Sequence, residues 1–433
     1  VAGSLKVGHE FTSEINKKYK VKKFLGSGGQ GEVYEVTSGK EKYALKWYLP
    51  HVATSQQYEI LEDLITKGAP DSSFLWPKDL IKDGKDFGYI MDLRPPEYLN
   101  MFELLKRRVE PSFRILCLIG FNIAKGFREL HSNGWCYRDI SWGNLFINFN
   151  NGKVLICDND NAVPNNSDLG NIGGTPRFMA PEIVLGKDKP STNTDLFSLA
   201  ILLFYLFNIH HPFEGKLEDK IHCLDPHAMK EIYGTNPVFI WDPNNKSNRP
   251  VPGYQQNAID FWELYPQFFK DIFTHAFTEG LHNPQKRSTE GQWQSTCLKL
   301  LNSIIYCNNE KCGVENFYDQ KLIKIGVGCT CWNCQRIIPS PSILLINNDL
   351  IVLSKETNIT QHHANNDFNI DNIIGKVVQN PNNPNQWGIK NLSSEIWTFI
   401  KPGGQSILVD PGKSFPLIKG SIINFGINKA KIY

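Results

Sequence analysis

Residues Cys136-Tyr137-Arg138-Asp139-Ile140-Ser141-Trp142-Gly143-Asn144-Leu145-Phe146 set an aspartate five positions ahead of an asparagine, on a tight loop between a helical stretch and strand-like apolar residues. An aspartate so placed can accept the proton of an attacking hydroxyl. The asparagine oxygen can hold a divalent ion against nucleotide phosphates. The spacing alone carries little weight, since Asp and Asn are common loop residues. What gives it weight is the order of the segments around it.

Upstream, Lys20 to Lys46 reads as three strands, with Leu25-Gly26-Ser27-Gly28-Gly29-Gln30-Gly31-Glu32-Val33 between the first two. Glycines at its first, third and sixth loop positions let backbone approach phosphates with no Cβ in the way. Val33-Tyr34-Glu35-Val36 favours a strand after the loop, not the helix of a dinucleotide-binding turn. Tyr43-Ala44-Leu45-Lys46 then delivers a lysine to the α- and β-phosphates, and small Ala44 leaves room for adenine. Thr54 or Ser55 caps a helix to about Lys67, with Ile60, Leu61, Leu64 and Ile65 on one face. Phe74-Leu75-Trp76-Pro77 and Phe87 to Leu93 read as the next two strands. Met91 would guard the back of a nucleotide pocket, and Asp92, Leu93 and Arg94 would form a hinge that binds adenine through backbone. Phe113 to Gly134 is a long apolar-periodic helix with a glycine stop.

Downstream, Leu145-Phe146-Ile147 and Val154-Leu155-Ile156 flank the Asn151-Gly152 turn, a hairpin signal. The second strand ends at Cys157-Asp158-Asn159-Asp160. Asp158 stands where a second metal-binding carboxylate is required, so Asn144 and Asp158 make the pair that a magnesium–nucleotide complex needs. Gly173-Gly174-Thr175-Pro176-Arg177-Phe178-Met179-Ala180-Pro181-Glu182 follows, and then Asp195 on an apolar helix.

The chain has 433 residues, a net charge of +2 and ten cysteines. The length predicts two or three domains. A near-neutral charge argues against a dedicated nucleic-acid or membrane binder. No apolar run has the length of a membrane span, and the N-terminus lacks a signal-peptide pattern, so a cytoplasmic location is expected. Val1 opens the chain in place of Met, and residues 1–15 are read as an N-terminal extension or an expression remnant.

From Lys20 to Ser303 these motifs, in this order, resemble the eukaryotic-type (Hanks-type) protein kinases. The resemblance implies a two-lobed fold, N-lobe 16–93 and C-lobe 94–303, with ATP and magnesium (or manganese) between the lobes. It implies a catalytic set of Asp139, Lys46, Asn144 and Asp158. The nucleotide would be held by Leu25, Gly26, Gly28, Gly31, Val33, Ala44, Lys46, Met91, Asp92, Leu93, Phe146 and Cys157, with Phe146 and Val33 sandwiching adenine. It also implies an ion pair of Arg287 with Glu182, and a Ser/Thr preference from Thr175. The helix after Lys46 should supply a carboxylate for that lysine. Glu59 fits by type and Gln57 by apolar spacing, and the choice stays open. The departures are Tyr137 for His, Ser141 for Lys, and Asn159-Asp160 for Phe-Gly. Asp-Ile-Ser-x-x-Asn is similar to the RIO and other atypical kinases. Asn159-Asp160 implies a less switchable activation segment, in which Ser167 and Thr175 are the phosphorylatable residues. Asp158-Asn159-Asp160-Asn161-Ala162, Phe74 to Pro77 and Ala276 to Leu281 resemble bacterial kinases that accompany a PPM-type phosphatase and a von Willebrand A-type protein in tellurite-resistance and stress modules.

In the C-terminal third, Cys307-x4-Cys312 and Cys331-x2-Cys334 form two knuckles, with Cys329 a spare that could replace Cys331. Four thiolates make a closed tetrahedral zinc site, and the predicted zinc ribbon spans 304–340. Residues 341–433 alternate in short runs (Ser342 to Leu345, Ile351 to Leu353, Gly375 to Val378, Trp397 to Ile400, Ser406 to Leu408, Ile422 to Phe425) separated by turns, which predicts an all-β sandwich. Asn391 to Ser394 and Leu417 to Gly420 resemble a forkhead-associated (FHA) domain. No Arg occurs after Arg336, so the usual bidentate phosphate contact is not expected and a protein-binding module is. His362-His363 reads as a loop pair.

The expected architecture is α+β: a bilobal kinase fold, a small zinc ribbon and an all-β sandwich. The expected function is ATP- and Mg-dependent phosphorylation of Ser/Thr in protein substrates. The alternative is a nucleotide-binding pseudokinase scaffold that works through its zinc ribbon and β domain.

Overall fold

The computed structural model describes residues 3–167, 174–319, 321–322, 326–347, 349–426 and 428–433. Val1, Gly173 and part of the 304–340 stretch lie outside them. The chain forms two compact units: Val1–Pro111, Leu118–Phe261 and Ile272–Trp293 make the first, and Ser112–Cys117, Trp262–Asp271 and Gln294–Tyr433 the second. No helix among the described residues is long and apolar enough to cross a membrane.

The first unit opens with an antiparallel six-stranded sheet in the order β1-β2-β3-β4-β6-β5. Its strands are β1 (Glu10–Thr12), β2 (Lys18–Ser27), β3 (Gly31–Ser38), β4 (Glu41–Tyr48), β5 (Asp79–Asp83) and β6 (Asp86–Asp92). Alternation works as the period-two rule requires: Tyr19, Val21, Tyr34, Val36, Leu45 and Ile90 turn inward onto one buried core. Phe11 of β1 is in that core, and the Ser4 backbone N–H donates to Glu32 at 2.9 Å. The sheet thus takes in residues that sequence reading set outside the lobe.

Helix α1 (Ser55–Lys67) is capped by Thr54, whose side chain accepts from the Gln57 N–H. Residues Phe74–Pro77 differ from the expected strand. Phe74, Leu75 and Trp76 are buried, the Trp76 indole donates to the Leu64 carbonyl at 2.9 Å, and the strand proper begins at Asp79. This apolar run fills the space beneath α1, and Pro77 has no N–H to offer a ladder.

The helix Phe113–Ser132 leads through Gly134, at φ 80°, into the central loop. The hairpin of Leu145–Ile147 with Val154–Ile156 turns at Gly152, where φ is 74° and a Cβ would lie 2.6 Å from that of Leu118. The helix Thr192–Asn208 is buried all round except at its start, as its apolar sequence demands. Arg287 forks onto Glu182 with bonds of 2.7 and 2.9 Å, the pair implied by the resemblance.

The second unit carries most of its strands in two sheets. One has six strands in the order Asp349–Val352, Ile343–Ile346, Lys429–Ile432, Ile422–Asn424, Trp397–Ile400, Ser406–Val409. The other has four: Asn358–Thr360, Ile373–Asn380, Asn383–Asn391 and Ser414–Pro416. Leu344, Ile359, Val377, Ile389, Trp397, Phe399, Phe415 and Ile423 form its buried core. A neighbouring cluster joins Cys307 and Cys331 to Ile338, Ile343 and Val352, so the cysteine-rich stretch and the all-β region share packing. His362 and His363 lie in a short buried helix, Gln361–Asn365, and not in a loop. His363 is neutral because burial pushes it down to about 3, and its ring nitrogens meet Thr360 and Asn302.

Candidate active site

The central loop is held from beneath. Asp195, 1% exposed, accepts the backbone N–H groups of Tyr137 (2.6 Å) and Arg138 (2.9 Å) and bonds His131 at 3.1 Å. These bonds support Arg138 at a φ of 73°, a left-handed conformation that costs of order 1–3 kcal/mol in a non-glycine residue. The Arg138 side chain donates to the Asn161 carbonyl at 2.7 Å. The Tyr137 hydroxyl donates to the Cys157 carbonyl, so this tyrosine ties the central loop to the segment carrying Asp158.

His131 sits between Asp195 and Glu290. Burial disfavours its charged form, but hydrogen bonds to the two carboxylates win and lift it from 6.5 to about 9. A pKa raised on folding contributes stability that is complete below about 6.5 and lost as pH rises through about 9. The loss is on the order of 3 kcal/mol. Thermal melting of the wild type should fall across that window. His131→Asn should melt lower at neutral pH and show a flatter profile; parallel profiles would refute the assignment.

On the loop itself, Asp139 accepts from Asn144 Nδ2 at 3.1 Å and from Thr175 Oγ1 at 2.8 Å. Cys157 N–H donates to the Asn144 carbonyl at 3.0 Å, which sets Asp158 beside Asn144. Asp158 adopts φ 52°, ψ 41°, again left-handed. Its carboxyl is pushed above the ordinary value by burial and by the charge of Asp160, against the pull of Lys46. Asn159, expected to fit an apolar slot poorly, is fully buried and donates to the carbonyls of Leu75 (3.0 Å) and Ile156 (2.9 Å). Hydrogen bonds replace packing there.

Lys46 is 4% exposed. Its ammonium meets both oxygens of Asp160 at 2.9 Å, Gln30 Oε1 at 2.9 Å and Asp158 Oδ1 at 3.4 Å. Neither residue considered on α1 is its counterion. Glu59 is exposed, whereas Gln57 faces inward and donates to the Asp160 carbonyl (3.1 Å) and to Tyr48 Oη (3.2 Å). Asp160 has no exposed surface and also accepts from Tyr48 (2.5 Å) and Tyr89 (2.9 Å). Burial raises the Asp160 carboxyl, but Lys46 and the two tyrosines hold it below the usual carboxylate range. Sequence reading treated Asp160 only as a lost glycine. Charge accounting was the available signal, because a buried lysine facing a glutamine on α1 still requires an anion.

The residues expected from sequence to seat a nucleotide lie on β2, β3 and the glycine loop between them, on β4 and β6, just after β6, and on the hairpin that leads to Asp158. A Cβ at Gly26 or Gly28 would meet no atom of the chain within 4 Å, so the loop leaves a cradle open. Gly31 differs, since a Cβ there would lie 2.4 Å from the Trp47 carbonyl oxygen. Val33 pairs with Lys46 across β3 and β4, and Ala44 with Met91 across β4 and β6. Ala44 and Met91 are buried, Leu93, Phe146 and Cys157 half-buried, and Leu25 and Asp92 exposed. Asp92 pairs with Lys78 at 2.7 Å, and the Arg94 guanidinium lies 4.4 Å from the Phe146 ring centroid. The cradle, the cation at its floor and the oxygen donors Asn144 and Asp158 fit a nucleotide triphosphate with magnesium.

In the second unit, the sulfurs of Cys307, Cys312, Cys331 and Cys334 all lie within 4.8 Å of one another. The 307–334 and 312–331 separations are 3.5 and 3.8 Å. A tetrahedron of Zn–S bonds near 2.3 Å has edges of about 3.8 Å, so the donor set and its spacing fit zinc. The backbone N–H of Arg336 facing the Cys334 sulfur holds that thiol below its ordinary value, while Cys307, against the pull of the Asn309 backbone N–H, is pushed up by burial and by the neighbouring thiols. Cys329, the spare, is outside the cluster and pairs as a strand residue with Ile338.

A family profile described as protein kinase domain matches residues 19–315. The chain is 31% identical over 221 residues to the serine/threonine-protein kinase plk-2 of Caenorhabditis elegans, covering 47% of this chain and 33% of that protein. It is 25% identical over 273 residues to protein kinase YegI of Escherichia coli (strain K12), covering 59% and 40%. It is 26% identical over 216 residues to serine/threonine-protein kinase PkaB of Streptomyces coelicolor, covering 47% and 51%. The matched part thus spans a third to a half of the length of these relatives.

Proposed function

The chain belongs to the protein kinase family, and from that premise we propose that it transfers the γ-phosphate of ATP to Ser or Thr hydroxyls of protein substrates. The observation that carries this is the convergence of Asp139, Asn144, Asp158 and Lys46 on one cradle. In the proposed step the substrate oxygen attacks the γ-phosphorus, the bond to the β–γ bridging oxygen breaks, and ADP departs. Asp139 takes the hydroxyl proton, with Asn144 and Thr175 fixing its two oxygens. Lys46 steadies the α- and β-phosphates, and the glycine loop with Val33, Ala44, Met91, Leu93 and Phe146 seats the nucleotide. Asn144 and Asp158 would hold magnesium, which offsets phosphate charge when bound.

The reading extends to domain boundaries at 94–303, 304–340 and 341–433, with the N-lobe running to residue 93 and taking in β1 in place of a start at 16. Zinc is proposed in the four-cysteine cluster, and an FHA-like, protein-binding role for the all-β region. The two-sheet topology supports the latter, as does Asn391, which organises the loop after its strand by donating to Glu395 O (2.7 Å) and Val409 O (3.0 Å). A cytoplasmic stress module with a PPM-type phosphatase and a von Willebrand A-type protein is proposed on the sequence resemblance.

The test is transfer of labelled γ-phosphate with Mg or Mn to a generic protein substrate and to the chain itself. Label on Ser or Thr in the wild type, lost in Asp158→Ala, is the expected result. ATP binding without transfer would favour the scaffold.

A further inference from the structure

We infer that Asp160 is the positioning residue for Lys46, doing from the turn after Asp158 what a carboxylate on α1 would otherwise do. The inference rests on the kinase reading above and deepens it. A buried ammonium needs a partner, and removing the partner of a buried pair leaves an uncompensated charge. Among the described residues of α1, Gln57 is the one directed at this site, and its amide carries no charge to give. Asp160 supplies the anion with both oxygens at 2.9 Å from Nζ. Tyr48, Tyr89 and the Gln57 bond to its backbone fix that carboxylate, so it is a built part of the site.

The arrangement divides labour between two aspartates. Asp160, with no exposed surface, neutralises Lys46. Asp158, with a 40% exposed side chain and a longer 3.4 Å contact, is the carboxylate left free to face a cation. Were Asp158 the sole partner, a bound cation and the lysine would compete for one carboxylate. The lysine is therefore anchored to the 159–161 turn and, through Gln30, to the glycine loop, and not to a charge on α1.

A charge-transfer cycle on the full chain tests this. Asp160→Asn keeps the shape and an acceptor for the tyrosines, and should lower kcat/KM for ATP by about 10²-fold, the scale of a misplaced reacting group. Adding Gln57→Glu should return at least about tenfold, because it restores one carboxylate a single hydroxyl away from the old one. A merely structural role for Asp160 predicts no such rescue. Activity or Mg–ATP affinity in Asp160→Asn equal to or above wild type would overturn the inference, as would a double variant no better than the single. If Asp160→Asn does not fold, Tyr89→Phe frees one carboxylate oxygen; about a tenfold loss supports the inference, and wild-type values overturn it. Absence of transfer by the wild type would defeat the kinase reading alone. Mg–ATP affinity then decides the inference, which requires weaker binding in Asp160→Asn.

Discussion

Asp139→Asn should lower phosphate transfer by ~10²–10⁴-fold while leaving ATP affinity within a few-fold of wild type, as expected for removal of a general base. The asparagine keeps one oxygen to accept from Thr175 or Asn144, so the loop is preserved and the deficit is chemical. Among the described residues Asp139 makes no side-chain bond to Lys46 or to the glycine loop; its side-chain partners are Asn144 and Thr175. A loss confined to kcat, measured with labelled ATP at saturating and limiting concentrations, is the signature. A matching rise in KM with kcat unchanged would show that Asp139 binds nucleotide and does not take the proton. Full retention of activity would remove it from the mechanism.

The second large effect concerns the cysteine cluster. The purified full chain should carry about one zinc per molecule, and stripping it should unfold the stretch around the knuckles. Structural zinc of this kind contributes on the order of 10–16 kcal/mol of binding energy to its fold. The packing of Cys307 and Cys331 against Ile343 and Val352 means that the loss reaches the first strands of the all-β region. Metal analysis and melting with and without a strong chelator check this. Cys331→Ser should reproduce the chelated state, whereas Cys329→Ser should leave metal content unchanged. A zinc-free chain whose melting ignores chelator would refute the assignment.

Much of the site was legible because phosphate chemistry constrains residue type at fixed short spacings. Gly26-x-Gly28, Asp139 with Asn144, and the lysine ending Tyr43-Ala44-Leu45-Lys46 are local patterns, and short β-favouring runs flank them. The Lys46–Asp160 contact spans 114 residues, and no periodicity encodes it. Sequence reading looks for the partner of Lys46 on α1, at Gln57 or Glu59, and so misses Asp160. The strand Asn383–Asn391 was hidden by its asparagines and Pro384, which read as turn residues, although Trp387 and Ile389 pack inward. At Phe74–Pro77 hydrophobicity correctly announced burial, but the pairing there is a single bridge of Phe74 to Ile156 and not a strand ladder. β1 escaped notice because three residues carry too little pattern.

The contacts of Gln30 bear on how fast the molecule can turn over. Its side chain accepts from Lys46 (2.9 Å) and donates to Asn161 (3.0 Å), which latches the tip of the glycine loop to the turn after Asp158. In the proposed mechanism, nucleotide exchange beneath this loop would require those two bonds to open. The latch therefore acts on residence time: it slows arrival and departure of nucleotide together and leaves their ratio nearly unchanged. In a kinase whose chemistry is fast, ADP escape through this latch would set the pace of each cycle.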